Sequence, residues 1–474
     1  MKTLLRLLPF AALLALPTAV RAQNELSNFT ATGRGGVINT FAQDYQVIGI
    51  NPANLGRPSE SLVAFTVLEG GAGIASRSLT KPVFRRLLFD YDRPVGPAEK
   101  AELVKGLEGE NALNMNVDIT TLAFALSLPN NWGGVAISNR QRAGAHLALN
   151  RNAADVIING KNAASVQPYY PITGGGPQTL PPPLLSNFLD GTAVQLAWTS
   201  EFNVAYGVRV LDMPAFKLSA GAGYRYIQGV GIADIRVEDG KLSAYSAMSP
   251  IFDINYGKLA SNPQFNAENG TGWLEPVGRG HGYDLGLSAE VGELVRLGAS
   301  VTDVGSMNWT GNVVTATDQP LQPTTGTGVQ TYNIIREIAK QLDSNEDNLF
   351  TYQAQQKRNA ALPAKLRLGA GVRLNDQFEV GVDFTAPLNE VAGNLPSSFV
   401  GLGVDYKPVS WIRLSSGLTG GSGYGTSLPL GVTLVTPLWE AGISSRDITG
   451  YFNQNAPYYS VALGFLRLKF GANK

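Results

Sequence analysis

The sequence predicts an all-β protein, a transmembrane antiparallel β-barrel of about 14 strands with short helices in some of its loops. Three observations predict this fold: an N-terminal export signal, polar and apolar residues that alternate with period two, and connections that alternate between short and long. Alternation alone would also fit a water-soluble β-sandwich. The combination of this alternation with an export signal, and with connections that are alternately short and long, favours the membrane barrel.

Residues 1–22 have the features of a secretory signal peptide. Lys2 and Arg6 form a basic start, residues 7–20 are largely apolar, and Ala22 ends the expected cleavage site. A membrane anchor is the alternative, but the apolar run is shorter than the roughly 20 residues that span a bilayer. We therefore expect export and begin the fold prediction at residue 23.

The composition excludes several classes of protein. The predicted leader carries three of the 37 basic residues and no acidic residue, so the rest of the chain has a formal charge of −3. This balance gives no sign of a nucleic-acid partner. The chain has no cysteine, which rules out disulfides and thiolate chemistry. After the leader, no stretch has 18 consecutive uncharged apolar residues, so helical membrane spans are not expected.

One predicted hairpin shows the alternation most clearly. The stretch "PAKLRLGAGVRL" (363–374) places leucine, valine and alanine on one face, and lysine, arginine and glycine on the other. After a short turn, "QFEVGVDFTA" (377–386) repeats the alternation in a second strand. Because charge facing lipid at mid-depth costs free energy, we expect the polar rows to face the lumen.

Connection lengths fall into two kinds along the chain. Short turns alternate with long links, and the longest links are 78–111, 151–190, 229–280 and 307–362. Short turns at one rim and long loops at the other are typical of bacterial outer-membrane barrels, so we expect the cell outer membrane. The predicted strands are 61–77, 112–128, 133–150, 191–211, 215–228, 281–290, 294–306, 363–374, 377–387, 397–407, 410–418, 427–435, 438–447 and 457–470.

Some segments depart from the simple strand pattern. The alternation changes phase at 120–121 and at 465–466, and each change predicts a β-bulge. Two links have helical spacing, at 97–109 and 332–344. We expect short helices there that pack on the rim, with a partner-docking helix as the alternative.

The third predicted strand has an unusual outward row. Asn139 and Gln141 fall among the lipid-facing positions, where polar side chains are costly. A local bulge or shifted register explains this, or else the barrel wall is irregular and broken there. Arg140, Arg142 and His146 fall in the opposite row and are expected to be polar lumen residues.

The sequence gives no sign of an enzyme. The only histidines are His146 and His281, which we expect to be solvated lumen or rim residues. No G-x-S-x-G elbow, P-loop, H-E-x-x-H or Rossmann fingerprint is present. We therefore expect no catalytic residue, no cofactor and no metal.

The turn at Asn51, Pro52 and Ala53 carries a resemblance to a known family. A small-residue stretch, "FTATGRGGVINTFAQDYQVIGI", precedes "NPANLGR", and the first strand pattern follows. This order resembles the FadL/TodX-type outer-membrane barrels, whose N-terminal segment lies in the lumen and blocks it. The resemblance implies a plug at 23–56 and a barrel at 57–474. The alternative is a simple strand-start turn, and no ligand-pocket residue of the family can be transferred by motif.

The resemblance leaves two functional hypotheses. The chain is also similar to PorV and PorQ of type IX secretion, and most similar to an uncharacterised Bacteroidota family with "GVDYKP" and "WEAGI" in its C-terminal half. The first hypothesis is passive passage of a small hydrophobic or amphipathic ligand through a lipid-embedded barrel: capture among the long loops, release past the plug, and lateral exit at the third strand. The alternative is a PorV-like barrel whose loops at 151–190, 229–280 and 307–362 bind protein partners.

Overall fold

The computed structural model describes most of the chain after the predicted leader. The described residues are 28–59, 61–171, 180–270, 272, 274–334, 349–395, 397–421 and 425–472. The predicted signal peptide at 1–22 and most of the predicted helix at 332–344 lie outside them.

Within the described residues, 18 strands form a single sheet whose neighbouring strands are antiparallel. Their order along the chain departs from simple succession only near the long-loop rim. The strands are β1 (Ser61–Ala75), β2 (Gly109–Ser127), β3 (Gly134–Leu149), β4 (Thr192–Met213), β5 (Phe216–Glu238), β6 (Lys241–Met248), β7 (Gly278–Val291), β8 (Val295–Trp309), β9 (Val313–Ala316), β10 (Tyr352–Ala354), β11 (Arg358–Ala361), β12 (Lys365–Arg373), β13 (Phe378–Pro387), β14 (Phe399–Val409), β15 (Ile412–Gly421), β16 (Leu430–Val435), β17 (Trp439–Ser445) and β18 (Tyr458–Ala472).

The sheet closes into a barrel with 14 positions around its wall. Closure occurs where β1 pairs with β2 on one side and with β18 on the other. β11 and β12 both pair with β8 and together fill one wall position. The predicted barrel of about 14 strands is confirmed.

Two predicted loops contain strands. β5 continues ten residues beyond its predicted end at 228 and turns back as β6, while β9 and β10 extend this ribbon at the long-loop rim. The long links predicted at 229–280 and 307–362 therefore contain strands that the sequence pattern did not predict. Pairing of β4 with β5 shifts at Val230, because Trp198 pairs with Gly231 and Thr199 with Gly229. This bulge changes the phase of the alternation and hides the continuation of the strand.

The helices are short and lie in the N-terminal segment and the loops. The α-helices are α1 (Phe29–Gly33), α2 (Lys81–Phe89), α3 (Pro97–Leu107), α4 (Arg151–Asn159) and α5 (Leu185–Phe188). The 3₁₀ helices are Asp44–Val47, Pro52–Gly56, Gly160–Asn162, Pro250–Phe252, Gly257–Ser261 and Thr449–Tyr451. The predicted helix at 97–109 corresponds to α3. In the part of the chain that the structure describes, no helix is long and apolar enough to cross a membrane.

Both predicted bulges are present. On β18, Glu440 pairs with Arg467 and Gly442 with Gly464, which leaves Phe465 and Leu466 opposite a single residue of β17. Both of these side chains are exposed on the outside, at 59% and 51%. On β2, Thr121 is the extra residue between two regular pairs with β3.

The two faces of the wall differ in polarity. Large apolar side chains such as Leu285, Leu287 and Phe202 are exposed on the outward face. Charged side chains such as Arg225 and Asp303 are buried on the inward face. A lipid environment outside and a polar lumen inside account for this arrangement.

Candidate functional site

An apolar cavity of about 240 Å³ lies at the long-loop rim, against β2–β5. The four strands supply one side of it through alternating positions, and the loops supply the other. A cavity of this size and polarity suits a small apolar molecule. The strand residues that line it with apolar side chains are Leu113, Met115, Ala145, Leu147, Leu149, Val194, Leu196, Ala233 and Ile235.

The cavity lies on the outward side of the wall. Leu196 belongs to the same alternating row of β4 as Phe202 and Val204, which are exposed on the barrel's outer surface. β4 pairs with β3 without a register shift from Gly207 to Ala193, so this row does not change face. The apolar strand residues that line the site therefore lie on the face of the wall opposite the lumen.

Loops cover the cavity from outside. α4 follows β3 directly, and its N-cap Asn150 accepts a hydrogen bond from Ala153 N at 2.8 Å, which fixes where the helix begins. Phe252 packs edge-to-face on Trp198 with ring centroids 5.9 Å apart. Further covering residues, beyond the strands, are Ile157, Leu189, Ile254, Leu349 and Phe350.

The polar edge of the cavity comes from the inward row. His146 Nδ1 lies 2.6 Å from Asn114 Oδ1, and Gln195 Nε2 donates to Asp234 Oδ1 at 2.9 Å. His146 is 5% exposed, so the expectation of a solvated histidine was wrong. The loops that enclose this end of the barrel remove it from water. His281 is exposed on the outward face of β7, where Tyr224 Oη is 2.7 Å from its Nδ1.

A layer of buried ion pairs occupies the lumen next to this site. Arg142 contacts Glu201 at 3.2 Å and Asp303 at 3.1 Å. Arg225 contacts Asp303 at 2.5 Å and Asp284 at 2.8 Å. Buried charges are tolerated when they are paired, but a layer of them is a poor environment for an apolar molecule. Arg140 lies in the same lumen, nearer the short-turn rim, and pairs with Asp118.

Residues 28–57, here called the N-terminal segment, lie inside the barrel and contact strands all around the wall. Glycines on the inward face allow this close approach, because a Cβ on any of them would lie 3.0 Å or less from an atom of the segment. The high glycine content was visible in the sequence, but this role was missed. The glycines are Gly207, Gly221, Gly286, Gly298, Gly369, Gly371, Gly381, Gly401, Gly403, Gly431, Gly442 and Gly464.

Hydrogen bonds and ion pairs hold the N-terminal segment to the wall. The carboxylate of Asp383 accepts from two consecutive backbone N–H groups, Ile38 at 2.6 Å and Asn39 at 2.7 Å. Arg34 pairs with Asp405 at 2.7 Å, and Arg467 pairs with Asp44 at the same distance. Charge-assisted bonds in a buried site are stronger than neutral ones, so the segment is firmly docked.

The turn at Asn51, Pro52 and Ala53 sits within this segment near the short-turn rim. Asn51 Oδ1 accepts from Ala53 N at 3.1 Å and caps the 3₁₀ helix that begins at Pro52. Asn51 Nδ2 donates to the backbone oxygen of Leu287 on β7 at 3.0 Å. The turn therefore joins the segment to the wall before the chain enters β1.

Asn139 and Gln141 lie on the outward face of β3, where each has polar partners. Thr121 Oγ1, at the β2 bulge, donates to Asn139 Oδ1 at 2.7 Å. Gln141 Nε2 donates to Ser200 Oγ at 2.7 Å, and Trp198 Nε1 donates to Gln141 Oε1 at 3.3 Å. β3 pairs with β4 without interruption, so the irregularity here is the bulge on β2 and not a broken wall.

In the described part of the chain, no group of three or more His, Cys, Asp or Glu side chains is arranged to hold a metal ion. Both histidines have side-chain neighbours other than serine: Asn114 for His146 and Tyr224 for His281.

A family model matches residues 68–438 of the sequence, and its description is "family of unknown function (DUF5723)". The chain belongs to this family. A search of the curated proteins finds no match.

Comparison with solved structures finds matches to several transporters and channels. The Pseudomonas putida toluene transporter TodX has a TM-score of 0.45 and 11% identity, covering 96% of this chain and 100% of that chain. The Ralstonia pickettii toluene transporter TbuX has a TM-score of 0.39 and 15% identity, covering 94% and 99%. A Pseudomonas aeruginosa FadL homologue has a TM-score of 0.40 and 11% identity, covering 96% and 97%. At this identity, the similarity concerns the fold alone.

Proposed function

We propose that this barrel resides in the outer membrane and serves the passive uptake of small apolar or amphipathic compounds, with the apolar cavity as its capture site. The observation that carries the proposal is the apolar cavity of about 240 Å³ beside a lumen that holds buried ion pairs and the N-terminal segment. Burial of apolar surface supplies the affinity, at about 25 cal/mol per Å².

The position of the cavity suggests the direction of exchange. It lies on the outward face, and its lining residue Phe252 packs on Trp198, which donates to Gln141 of β3. A bound molecule is therefore close to the outer surface of the wall. Lateral release along this surface avoids the buried ion pairs of the lumen. An apolar solute that passed through the lumen would separate these charged side chains from their partners, which costs free energy. In this proposal the N-terminal segment acts as a plug that keeps the lumen closed to water and ions.

The test fills the cavity and measures binding of an apolar fluorophore, N-phenyl-1-naphthylamine, to the full chain in detergent. Ala145→Trp places a large ring in the cavity from β3. Ile137→Trp is the matched control, because it lies on the same strand and in the same outward row but lines no part of the cavity. We expect at least tenfold weaker binding for Ala145→Trp, about 1.4 kcal/mol, and little change for the control.

Uptake into proteoliposomes separates binding from transport. If Ala145→Trp loses both fluorophore binding and uptake of a small aromatic solute, capture and passage share the cavity. Equal binding by both tryptophan variants would refute the capture site. The PorV-like alternative, with protein partners at the long loops, stays a prediction; stoichiometric co-purification of a partner in mild detergent is the result that would favour it.

A further inference from the structure

A second cavity, of about 80 Å³, lies at the short-turn rim between the N-terminal segment and one half of the barrel wall. The N-terminal segment contributes Thr30, Arg34 and Phe41 to its lining. The ends of β8, β12–β15, β17 and β18 line it from the sides. It is distinct from the apolar cavity, which lies at the opposite rim.

This cavity is strongly basic. Seven arginine or lysine side chains line it, against three carboxylates. Three further carboxylates lie outside the lining near its cations: Asp44 pairs with Arg467, Glu69 lies near the same arginine, and Asp376 pairs with Arg373 at the rim. Basic groups therefore still outnumber acidic ones, and the local field favours an anion.

Of the three carboxylates that line the cavity, Glu379 pairs with Arg296 at 2.8 Å, and the other two are each shared between several cations. Glu440 lies 3.0 Å from Arg467, 2.7 Å from Lys469 and 3.8 Å from Arg413. Asp405 lies 2.7 Å from Arg34 and 4.0 Å from Arg413. Arg413 thus has only long contacts to both acids.

Unused hydrogen-bond donors lie around the same space. The Nε–H groups of Arg34, Arg413 and Arg467 are buried and have no hydrogen-bond partner among the described residues. A buried donor without an acceptor destabilises the folded state, and more strongly when the donor group is charged. Guanidinium N–H groups match the oxygen atoms of phosphate and carboxylate in geometry and charge.

We propose that this cavity is a binding site for a small oxyanion of the phosphate or carboxylate class. Arg34 belongs to the N-terminal segment, whereas Arg413 and Arg467 belong to the wall. An oxyanion held by all three bridges the segment and the wall. The proposal goes beyond the proposed function and does not depend on it, because it uses neither the apolar cavity nor any transport step.

The experiment is isothermal titration calorimetry of the full chain in detergent, with inorganic phosphate as the probe. Arg413→Gln removes a lining cation that has only long ion-pair contacts. Arg209→Gln is the matched control, an arginine near the same rim on β4 that pairs with Glu290 at 3.0 Å and does not line the cavity. We expect saturable binding that weakens at least tenfold in Arg413→Gln and changes less than about twofold in Arg209→Gln.

Two results would overturn the proposal. One is the absence of saturable binding to the unmodified protein up to roughly 10 mM phosphate, which would mean that water fills the cavity. The other is an equal loss in both variants. Succinate in place of phosphate assigns the class: the probe that binds more tightly identifies the chemistry. If Arg413→Gln fails to fold, Lys407→Gln tests the same cavity from β14.

Discussion

Gly464 on β18 provides a direct test of how tightly the N-terminal segment is packed. A methyl group there would lie 2.5 Å from Cε1 of Phe29 and 3.3 Å from Cγ of Glu69. Phe29 is 1% exposed, in α1, and its ring also packs closely against Gly442 of β17. Gly464→Ala should therefore push the ring, and with it α1, away from the wall.

The expected magnitude follows from core overpacking. An extra methyl group in a well-packed site costs about 1–3 kcal/mol. If that cost acts on the docking of the segment, the population of undocked molecules rises about 5- to 150-fold, since each 1.4 kcal/mol is a factor of ten. The global fold should survive, because the β18 ladder itself needs no rearrangement.

A single introduced thiol measures this population. The chain contains no cysteine, so Ala31→Cys, a buried position in α1, provides a unique reporter for maleimide labelling. The labelling rate reports how often the segment opens. Gly420→Ala is the matched control, because a methyl group at this β15 glycine has no neighbour within 4 Å. Equal labelling rates in the parent, Gly464→Ala and Gly420→Ala would refute the reasoning.

Three further predictions concern the segment and the loops. Deletion of residues 30–50 should turn a closed barrel into a leaky one, because the lumen loses its filling; unchanged liposome conductance would contradict this. Asp383→Ala should weaken docking by about 1–3 kcal/mol, since two backbone N–H groups lose their acceptor, and thiol labelling of Ala31→Cys should accelerate accordingly. The backbone N–H of Gly96 holds the pKa of Glu99 below its ordinary value, so this contact stabilises the start of α3 at neutral pH and is lost as the pH falls below about 4. Proteolysis near α3 should rise in that acidic range and not between pH 6 and 8.

Local pattern was sufficient to predict several elements. The bulge at Phe465 and Leu466 was readable because both faces of β18 carry apolar residues in succession at that point. The helix α3 could be predicted from the proline at its start and from the helical spacing of its residues. The β5–β6 ribbon was not, because the bulge at Val230 interrupts the alternation that a strand prediction follows.

The candidate site was less predictable than the wall. The sequence placed His146 in the correct row of β3. Its burial was not predictable, because it depends on loops that fold over the rim and that lie far from His146 in the sequence. The pairing of Arg225 with Asp303 joins residues 78 positions apart, on strands separated by β7. Such contacts follow from barrel closure and strand register, which cannot be inferred from a short stretch of sequence.

The sequence by itself determined the class of fold, the approximate number of strands and the face that each strand presents. The physical reason is that lipid on one side and a polar interior on the other impose a period of two on every strand, and this period is local. Only the tertiary structure decided which glycines meet the N-terminal segment, where the apolar cavity lies and which carboxylates share the arginines at the short-turn rim. Those features arise when strands distant in sequence become neighbours around the wall, so they depend on register and closure and not on any one stretch of residues.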